Sequence, residues 1–314
     1  MKQIGIIFIF IALFFLLCKP NSAQESIFFE KSDTLNTKRL KYVIGTKTLA
    51  LSATFVGLNE LWYKNYERSS FQFFNDNEEW LQMDKLGHLT TGYAVAQVSS
   101  NLFQWTGLEH KKSVLAGSGV SLLLLTGVEV LDGFSAQWGF SYGDMIANVV
   151  GVGAYASQEF LWGEQRISFK FSYFPSSTNQ DLAELRPALL GSNWTEQWLK
   201  NYNDQTYWLS LNLASFSNKE DKKLPWLNLA LGYSGNGMLG GFTNIWEKDG
   251  ITYDYSHISR YRTFYLSPDI DLSRIPTNKK ALKTIFKALN FIKIPLPTLS
   301  VDEKGRAKAY WIYF

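Results

Sequence analysis

Apolar residues follow two different patterns along this chain, one before and one after Gly163. Before it, they form long runs rich in Gly, Ala and Ser, which favour packed helices. After it, they alternate with polar residues over short stretches divided by Asn, Asp, Gly and Pro, which is typical of antiparallel strands. The pattern therefore predicts an α+β fold, in which an N-terminal four-helix bundle, embedded in or associated with a membrane, precedes an antiparallel β domain.

Four helices are predicted in the first half. They cover about residues 41–63, 84–105, 111–131 and 142–162. The third contains no charge over 113–128, and with Val130 and Leu131 it is nearly as long as the roughly 20 residues that span a bilayer. A water-soluble bundle stays open as the alternative, because its buried helices are also apolar on most faces. Lys47, Glu60 and the many Ser and Thr residues favour that alternative.

Small residues mark one face of the fourth predicted helix. Gly143, Ala147 and Gly151 recur at every fourth position, so they lie one above the other along that face. A stripe of this kind lets a neighbouring helix approach closely.

Six strands are predicted in the second half. They cover about residues 167–174, 206–214, 224–233, 262–272, 297–302 and 307–314. Residues 302–305 predict a hairpin turn between the last two strands. The chain ends in the aromatic run 310–314, which is typical of the closing strand of an outer-membrane barrel. Because six strands are fewer than the eight of the smallest common barrel, an aromatic strand that closes a sandwich or sheet is the alternative.

A basic amphipathic helix is predicted between the fourth and fifth strands. Lys279, Lys283 and Lys287 line one side of it, and the other side is apolar. Such a helix either covers a sheet or lies on anionic lipid.

Polar residues interrupt the apolar helices at three places. They open the second helix, close the third and open the fourth, so an up-down arrangement of the helices brings all three places to one end. These residues are Asp84, Lys85, His88, Glu129, Asp132, Asp144 and Asn148. Polar and charged groups are unfavourable in apolar surroundings unless they are paired, hydrogen-bonded or bound to a cation. The sequence therefore predicts one polar site.

The residue types indicate acid–base or metal chemistry. His88 is the candidate general base, and Asp84, one helical turn earlier, is the candidate that orients it. Glu129 completes the predicted catalytic set. Asp132 and Asp144 are the candidate ligands of a divalent cation, either Mg²⁺, Ca²⁺ or Zn²⁺.

Substrate contacts are predicted for three further residues. Lys85 would bind a phosphate or pair with an acid, Asn148 would position the substrate, and Trp138 lies in an aromatic loop that would form a lid or anchor at a membrane surface. The alternative is a structural polar network, in which Asp84 and Asp144 satisfy helix N-termini and Asn148 makes an interhelical hydrogen bond.

The N-terminus predicts export. Lys2, the apolar residues 4–17 and a small-residue region ending at Ala23 form a secretory signal. Cys18 would carry lipid in a lipoprotein, but Leu17 precedes it where a small residue is required. We therefore expect cleavage after Ala23, which leaves a mature chain without cysteine and excludes disulfides and a thiol nucleophile.

Composition narrows the possible partners. Without Lys2 and Lys19 the chain has 29 basic and 28 acidic residues, which gives no reason to expect nucleic acid. Aromatic residues make up 16% of the chain and include 11 tryptophans, a content typical of proteins that meet a membrane interface or carbohydrate. We expect a membrane-associated protein of the cell envelope, in the periplasm or outer membrane, with membrane lipid or a cell-wall precursor as its partner.

The polar motifs also carry a resemblance to known families. The order Asp-Lys-x-x-His, Glu, then Asp-x-x-x-Asn-x-x-Gly, from Asp84 to Gly151, is similar to the VanZ-like membrane proteins. Together with Gly92-Tyr93 and the run 138–141, it also resembles a bacterial family described as predicted periplasmic lipoproteins. The resemblance covers about residues 80–160 and implies an envelope protein. Asp132 departs from the VanZ-like pattern, in which Gln is frequent.

These arguments predict a division of the chain into three parts. We expect a signal peptide at 1–23, a VanZ-like helical bundle with the polar site at 24–163, and a β-rich domain with one basic helix at 164–314. The leading functional hypothesis is an envelope hydrolase or transferase that acts on a lipid-linked or cell-wall substrate. The competing hypothesis is a non-catalytic binding or scaffold protein.

Overall fold

The computed structural model describes residues 30–61, 63–174, 189–190, 197–198, 200–217, 224–248 and 250–313. Within these ranges the chain forms five α-helices and a large antiparallel sheet, so the predicted α+β class is confirmed. The predicted signal peptide, with Cys18, and the terminal Phe314 lie outside the described residues.

Each of the predicted helices is present. The helices are α1 (Thr37–Leu61), α2 (Met83–Trp105), α3 (His110–Gly133), α4 (Tyr142–Leu161) and α5 (Lys280–Leu289). Helix α2 packs along both α3 and α4, whereas α1 touches α2 and α3 at few points. Leu49 and Val56 of α1 are 70% and 61% exposed. The packed core therefore contains three helices, with α1 at its edge, which differs from the predicted four-helix bundle.

Small residues allow the three core helices to approach closely. A Cβ atom on Gly151 of α4 would lie 2.0 Å from the backbone oxygen of Leu89 on α2, and one on Gly117 of α3 would lie 2.1 Å from Ser100 Oγ. Around these contacts Tyr93 and Tyr155 form part of the buried core, with their rings edge to face. The predicted small-residue stripe on α4 thus lies against α2.

Among the described residues, α3 is long and apolar enough to cross a membrane by length and composition. A third of its most apolar stretch is buried inside the protein. The central helix of a water-soluble protein has the same properties, so membrane embedding stays a prediction.

The strands of the described ranges belong to three sheets. They are β1 (Phe73–Phe74), β2 (Phe140–Ser141), β3 (Ile167–Tyr173), β4 (Gln205–Leu211), β5 (Leu227–Asn236), β6 (Ile245–Lys248), β7 (Ile251–Asp254), β8 (Tyr261–Ile270), β9 (Leu296–Asp302) and β10 (Ala307–Tyr313). The main sheet has the order β10-β9-β8-β5-β4-β3 and is antiparallel throughout. Its six strands are the six that the alternating pattern predicts. The pair β1–β2 and the hairpin β6–β7 were not predicted.

The sheet packs against the beginning of α2. Tyr233 of β5 donates a hydrogen bond of 2.5 Å to the backbone oxygen of Leu81, and the backbone N–H of Gly235 lies 3.1 Å from the sulfur of Met83. Further along α2, the ring of Tyr93 packs on Phe169 of β3. These contacts fix the end of α2 that carries the predicted site. The division of the chain into domains at residue 163 stays a prediction.

Two predicted local features are present at the sheet ends. The turn between β9 and β10 has Gly305 in the left-handed region, with φ +77°, and Asp302 accepts hydrogen bonds from the backbone of Lys304 and Arg306. Helix α5 is the predicted basic helix, and its apolar side is half-buried through Leu282 and Phe286.

Replacing Gly151 with Ala should destabilise the protein by about 1–3 kcal/mol, because the added methyl group displaces α2. Gly153 on the same helix is the matched control, since a Cβ atom there meets nothing within 4 Å. Gly153→Ala should stabilise the fold by up to about 1 kcal/mol through helix propensity. Urea unfolding followed by circular dichroism measures both changes, and equal effects would show that the two helices are not in close contact.

Candidate functional site

The three polar helix ends meet at one place. Six of the eight predicted site residues line a single cavity of about 300 Å³. These are Asp84, His88, Glu129, Asp132, Trp138 and Asp144. The other two, Lys85 and Asn148, do not line the cavity but contact residues that do. The up-down order of α2, α3 and α4 accounts for this meeting.

His88 is held by the neighbouring helices. Its Nδ1 lies 3.0 Å from Oδ1 of Asn148 and 3.5 Å from Oε1 of Glu129. Asn148 on α4 and Glu129 on α3 thus both face this ring nitrogen. Nε2 lies 3.9 Å from Oδ1 of both Asp84 and Asp144. The contact that orients the imidazole therefore comes from Asn148 on α4, whereas the prediction gave this role to Asp84.

Lys85 is the centre of an ion-pair network. Its ammonium lies 2.7 Å from Asp76 and from Asp144 and 3.3 Å from Asp84. Burial lowers the pKa of Lys85, but the carboxylates of Asp84 and Asp144 outweigh it and raise the pKa above its ordinary value. Lys85 thus stays charged and joins α2, α4 and the connection before α2. Of its two predicted roles, the structure supports pairing with acids.

Hydroxyl groups complete the shell around the carboxylates. Tyr202, which precedes β4, donates a hydrogen bond of 2.5 Å to Asp84, and Tyr63 donates one of 2.8 Å to Asp132. Ser141 donates to Asp76 and accepts from the backbone N–H of Asp144, so it caps the N-terminus of α4. The cap role considered for Asp144 therefore belongs to Ser141, and the Asp144 carboxylate turns towards the site.

Carboxyl groups outnumber cations in this region. Burial, reinforced by nearby acids, raises the pKa of Glu79 to about 7, of Glu129 to about 8, of Asp132 to about 6 and of Asp144 to about 9. Burial also acts on Asp84, but His88 and Lys85 outweigh it and lower its pKa. The site consequently favours bound protons or an added cation.

One group of side chains has the spacing of a metal site. The ligand atoms of Asp84, His88 and Asp144 all lie within 4.8 Å of one another. Two carboxylate oxygens and one imidazole nitrogen suit Zn²⁺ better than Mg²⁺ or Ca²⁺, which prefer oxygen ligands only. Asp132, the other predicted metal ligand, is outside this group and contacts Tyr63.

Two buried polar atoms beside the same group lack a hydrogen-bond partner in the described part of the chain. They are Oε1 of Glu129 and Nδ2 of Asn148. Buried polar atoms without partners are rare and frequently mark functional sites.

The predicted aromatic loop forms one wall of the cavity. Trp138 packs edge to face on Tyr66, with 4.6 Å between ring centroids, and on Tyr63 at 6.2 Å. The backbone oxygen of Trp138 accepts a hydrogen bond from Gln72. These contacts hold the Trp138 side chain at the cavity, in agreement with its predicted position.

Several site residues were not predicted. Asp76, Glu79, Trp80, Tyr63 and Tyr202 line the cavity together with the predicted residues. The first three belong to a polar-aromatic connection whose composition could have indicated a role. The two tyrosines come from distant parts of the chain, and their positions carry no local signal.

The fold and the site define an α+β protein with a partly buried histidine–carboxylate cluster at one end of its packed helices. Residues 72–158 match the model of a family described as Predicted periplasmic lipoprotein (DUF2279). The match contains all eight predicted site residues but covers less than a third of the 314 residues. No curated protein and no solved structure matches the chain.

The family description agrees with the predicted location, which is that of an exported, periplasmic protein of the cell envelope. The match begins at residue 72 and does not reach Cys18, so cleavage after Ala23 stays a prediction.

Raising the pH from 5 to 8 should lower the thermal stability of the metal-free protein. The pKa of Glu129 is about 8 in the folded protein, against an ordinary value of 4.5. Its contribution to the free energy of unfolding is therefore fully present below pH 4.5 and is lost as the pH rises towards 8. Asp132 and Asp144 act in the same direction.

Glu129→Gln should flatten this pH dependence, because the neutral amide cannot lose a proton. The control is Glu109→Gln, which changes an exposed acid on the surface. Differential scanning calorimetry across the pH range measures the effect. A Glu129→Gln profile parallel to that of the unchanged protein would contradict the raised pKa.

Proposed function

We propose that this protein is a metal-dependent hydrolase or transferase of the cell envelope that acts on a lipid-linked or cell-wall substrate. The observation that supports it most is the position of the ring nitrogen Nε2 of His88. It faces the carboxylates of Asp84 and Asp144 at the wall of a cavity large enough for part of a substrate.

In this proposal Asp84, His88 and Asp144 hold a divalent cation, with Zn²⁺ as the best fit. The cation would polarise the substrate and lower the pKa of water. Asn148 keeps the proton on Nδ1 of His88, so that Nε2 remains a ligand or base. Lys85 holds two of the carboxylates in place and limits their mutual repulsion.

Glu129 serves as the proton donor in the same scheme. With a pKa of about 8 it keeps its proton at neutral pH, as a general acid must. It is almost fully buried beside His88, and Ser141 donates its backbone N–H to Oε2. The proton can therefore pass only to a group inside the cavity.

The walls of the cavity favour an amphipathic substrate. Trp80, Trp138, Tyr63 and Tyr202 present aromatic rings next to the carboxylates. Aromatic side chains with a polar edge combine apolar contact with hydrogen bonding. A sugar or phosphoester head group carried on a lipid or a cell-wall strand has both properties. The VanZ-like order of the motifs and the envelope location agree with such a substrate.

Purified protein should bind stoichiometric Zn²⁺, and His88→Ala and Asp144→Asn should each abolish that binding, because each removes one of three ligands. His110→Ala is the matched control, since His110 lies on a helix surface beside Glu159. Elemental analysis after equilibrium dialysis gives the metal content. Zinc retained by both site variants, or absent from the unchanged protein, would refute the metal proposal.

Activity gives an independent measurement. Each of the two site variants should lose hydrolysis of phosphoester or cell-wall fragments, with unchanged circular dichroism. Retention of full activity by both would exclude the catalytic role of His88.

A non-catalytic scaffold is the second candidate. The observation that favours it is the network around Lys85, which joins α2, α4 and the preceding connection, while Tyr202 joins α2 to the sheet region. Such a network fixes the register of packed elements without chemistry. Under this candidate, substitution of His88 would lower stability and leave the metal content unchanged.

Lys85→Met should destabilise the fold by about 3–5 kcal/mol, because it leaves buried carboxylates without their cation. Lys64→Met is the control, since Lys64 forms only an exposed pair with Glu60, and such pairs contribute less than about 1 kcal/mol. Chemical denaturation compares the two variants. Equal losses of stability in the two variants would show that the ion pairs of Lys85 do not stabilise the fold.

A further inference from the structure

The main sheet has an inverted distribution of polarity. Along β5, Leu227, Leu229 and Leu231 are 38%, 38% and 50% exposed, while Asn228 and Ala230 between them are buried. A sheet that covers its own core in water has the opposite arrangement, with apolar side chains inside. The leucines of β5 therefore face away from the protein.

The same inversion continues across the neighbouring strands. Leu231 is the register partner of Leu266 on β8, which in turn pairs with Leu299 on β9. Leu266 and Leu299 are 41% and 58% exposed. We call the side of the sheet that carries this row of leucines the outer face. Phe264 and Val301 form a second exposed pair on that face.

The inner side of the sheet is polar and closed. Lys170 and Lys293 are fully buried and share one carboxylate, that of Asp269, at 2.8 and 3.7 Å. The Lys293 ammonium also lies over the ring of Trp208. A shift of the strand register by one residue would turn the leucines inwards and the charged strand residues outwards. Because the charged groups are paired on the inner side, the sequence specifies the observed register.

The positive charges of helix α5 indicate which kind of surface contacts the outer face. Helix α5 lies between β8 and β9 along the chain, and Lys279 just before it and Lys283 and Lys287 within it are exposed. Exposed lysines that connect two strands of this apolar sheet complement the phosphates of anionic lipid. Trp311 of the last strand, at 89% exposure, is of the type that membrane interfaces favour.

Apolar side chains are also exposed on elements outside the sheet. Leu123 of α3 is 61% exposed and Ile146 of α4 is 64% exposed. A single pairing of two copies would cover one patch, whereas a lipid layer can cover apolar surfaces on several elements. The distribution thus favours lipid over a second copy of the chain.

We infer that the outer face of the main sheet lies against the acyl chains of an anionic lipid membrane, with the lysines of α5 at the lipid phosphates. This contact is independent of the chemistry at His88, and it would hold for a catalytic or a scaffold protein.

A polarity-sensitive fluorescent label at Leu299→Cys tests the inference in the full chain. The background carries Cys18→Ser, so that the label has one attachment point and no lipid on Cys18 can cause binding. In vesicles of phosphatidylethanolamine and phosphatidylglycerol, the emission should shift to the blue, and nitroxide groups on the acyl chains should quench it. A label at the exposed turn residue Ser256→Cys should stay water-like and unquenched.

Charge substitutions give a second measurement. Leu231→Lys with Leu299→Lys should reduce vesicle binding about 30-fold or more, because each lysine would enter the acyl region. Leu213→Lys, at an exposed leucine in the 3-10 helix that follows β4 and outside the row of leucines, should leave binding unchanged. The triple change Lys279→Gln, Lys283→Gln and Lys287→Gln should weaken binding to anionic vesicles about 100-fold.

Two results would overturn the inference. One is a Leu299→Cys label that remains water-like and unquenched in vesicles. The other is a blue-shifted label without vesicles, together with a dimeric mass by sedimentation, which would assign the outer face to a second copy.

Discussion

The excess of carboxyl groups at one end of the helices is the constraint on which the rest of this structure depends. Burying a charge is unfavourable unless a partner compensates it, and here Lys85 faces three aspartates. The remaining compensation comes from hydroxyl donors, chiefly Tyr202 and Tyr63, and from protons held on acids with raised pKa values. This excess of carboxyl groups over cations is the basis for the cation site that we propose.

Contacts between the helices, and between the helices and the sheet, position the residues of the site. The glycine contact between α4 and α2 sets the distance between the two helices, and Asn148, one turn before Gly151, therefore reaches His88. The sheet contributes from the other side, since Tyr233 fixes the chain just before α2 and Tyr202 reaches Asp84. The site is thus made by helices and sheet together, although the family match covers only the helical part.

The same physical rule links the site to the sheet. In both places buried polar groups are paired with one another, and many apolar side chains are exposed. Lys170, Lys293 and Asp269 form the inner cluster of the sheet, as Lys85 and its aspartates do among the helices. The exposed apolar side chains of the sheet agree with the lipid contact that we infer for its outer face.

Local pattern determined the elements and most of the site. The helical and alternating periodicities predicted the helices and all six strands of the main sheet. An element with one buried face repeats apolar residues at a fixed spacing, which can be read from the sequence. The polar helix ends identified Asp84, His88 and Asp144 for the same reason. Only the tertiary structure decided that α1 lies at the edge, that Asn148 orients His88, and that Tyr202 closes the site. These depend on contacts between distant segments, for which no neighbouring residue carries a signal.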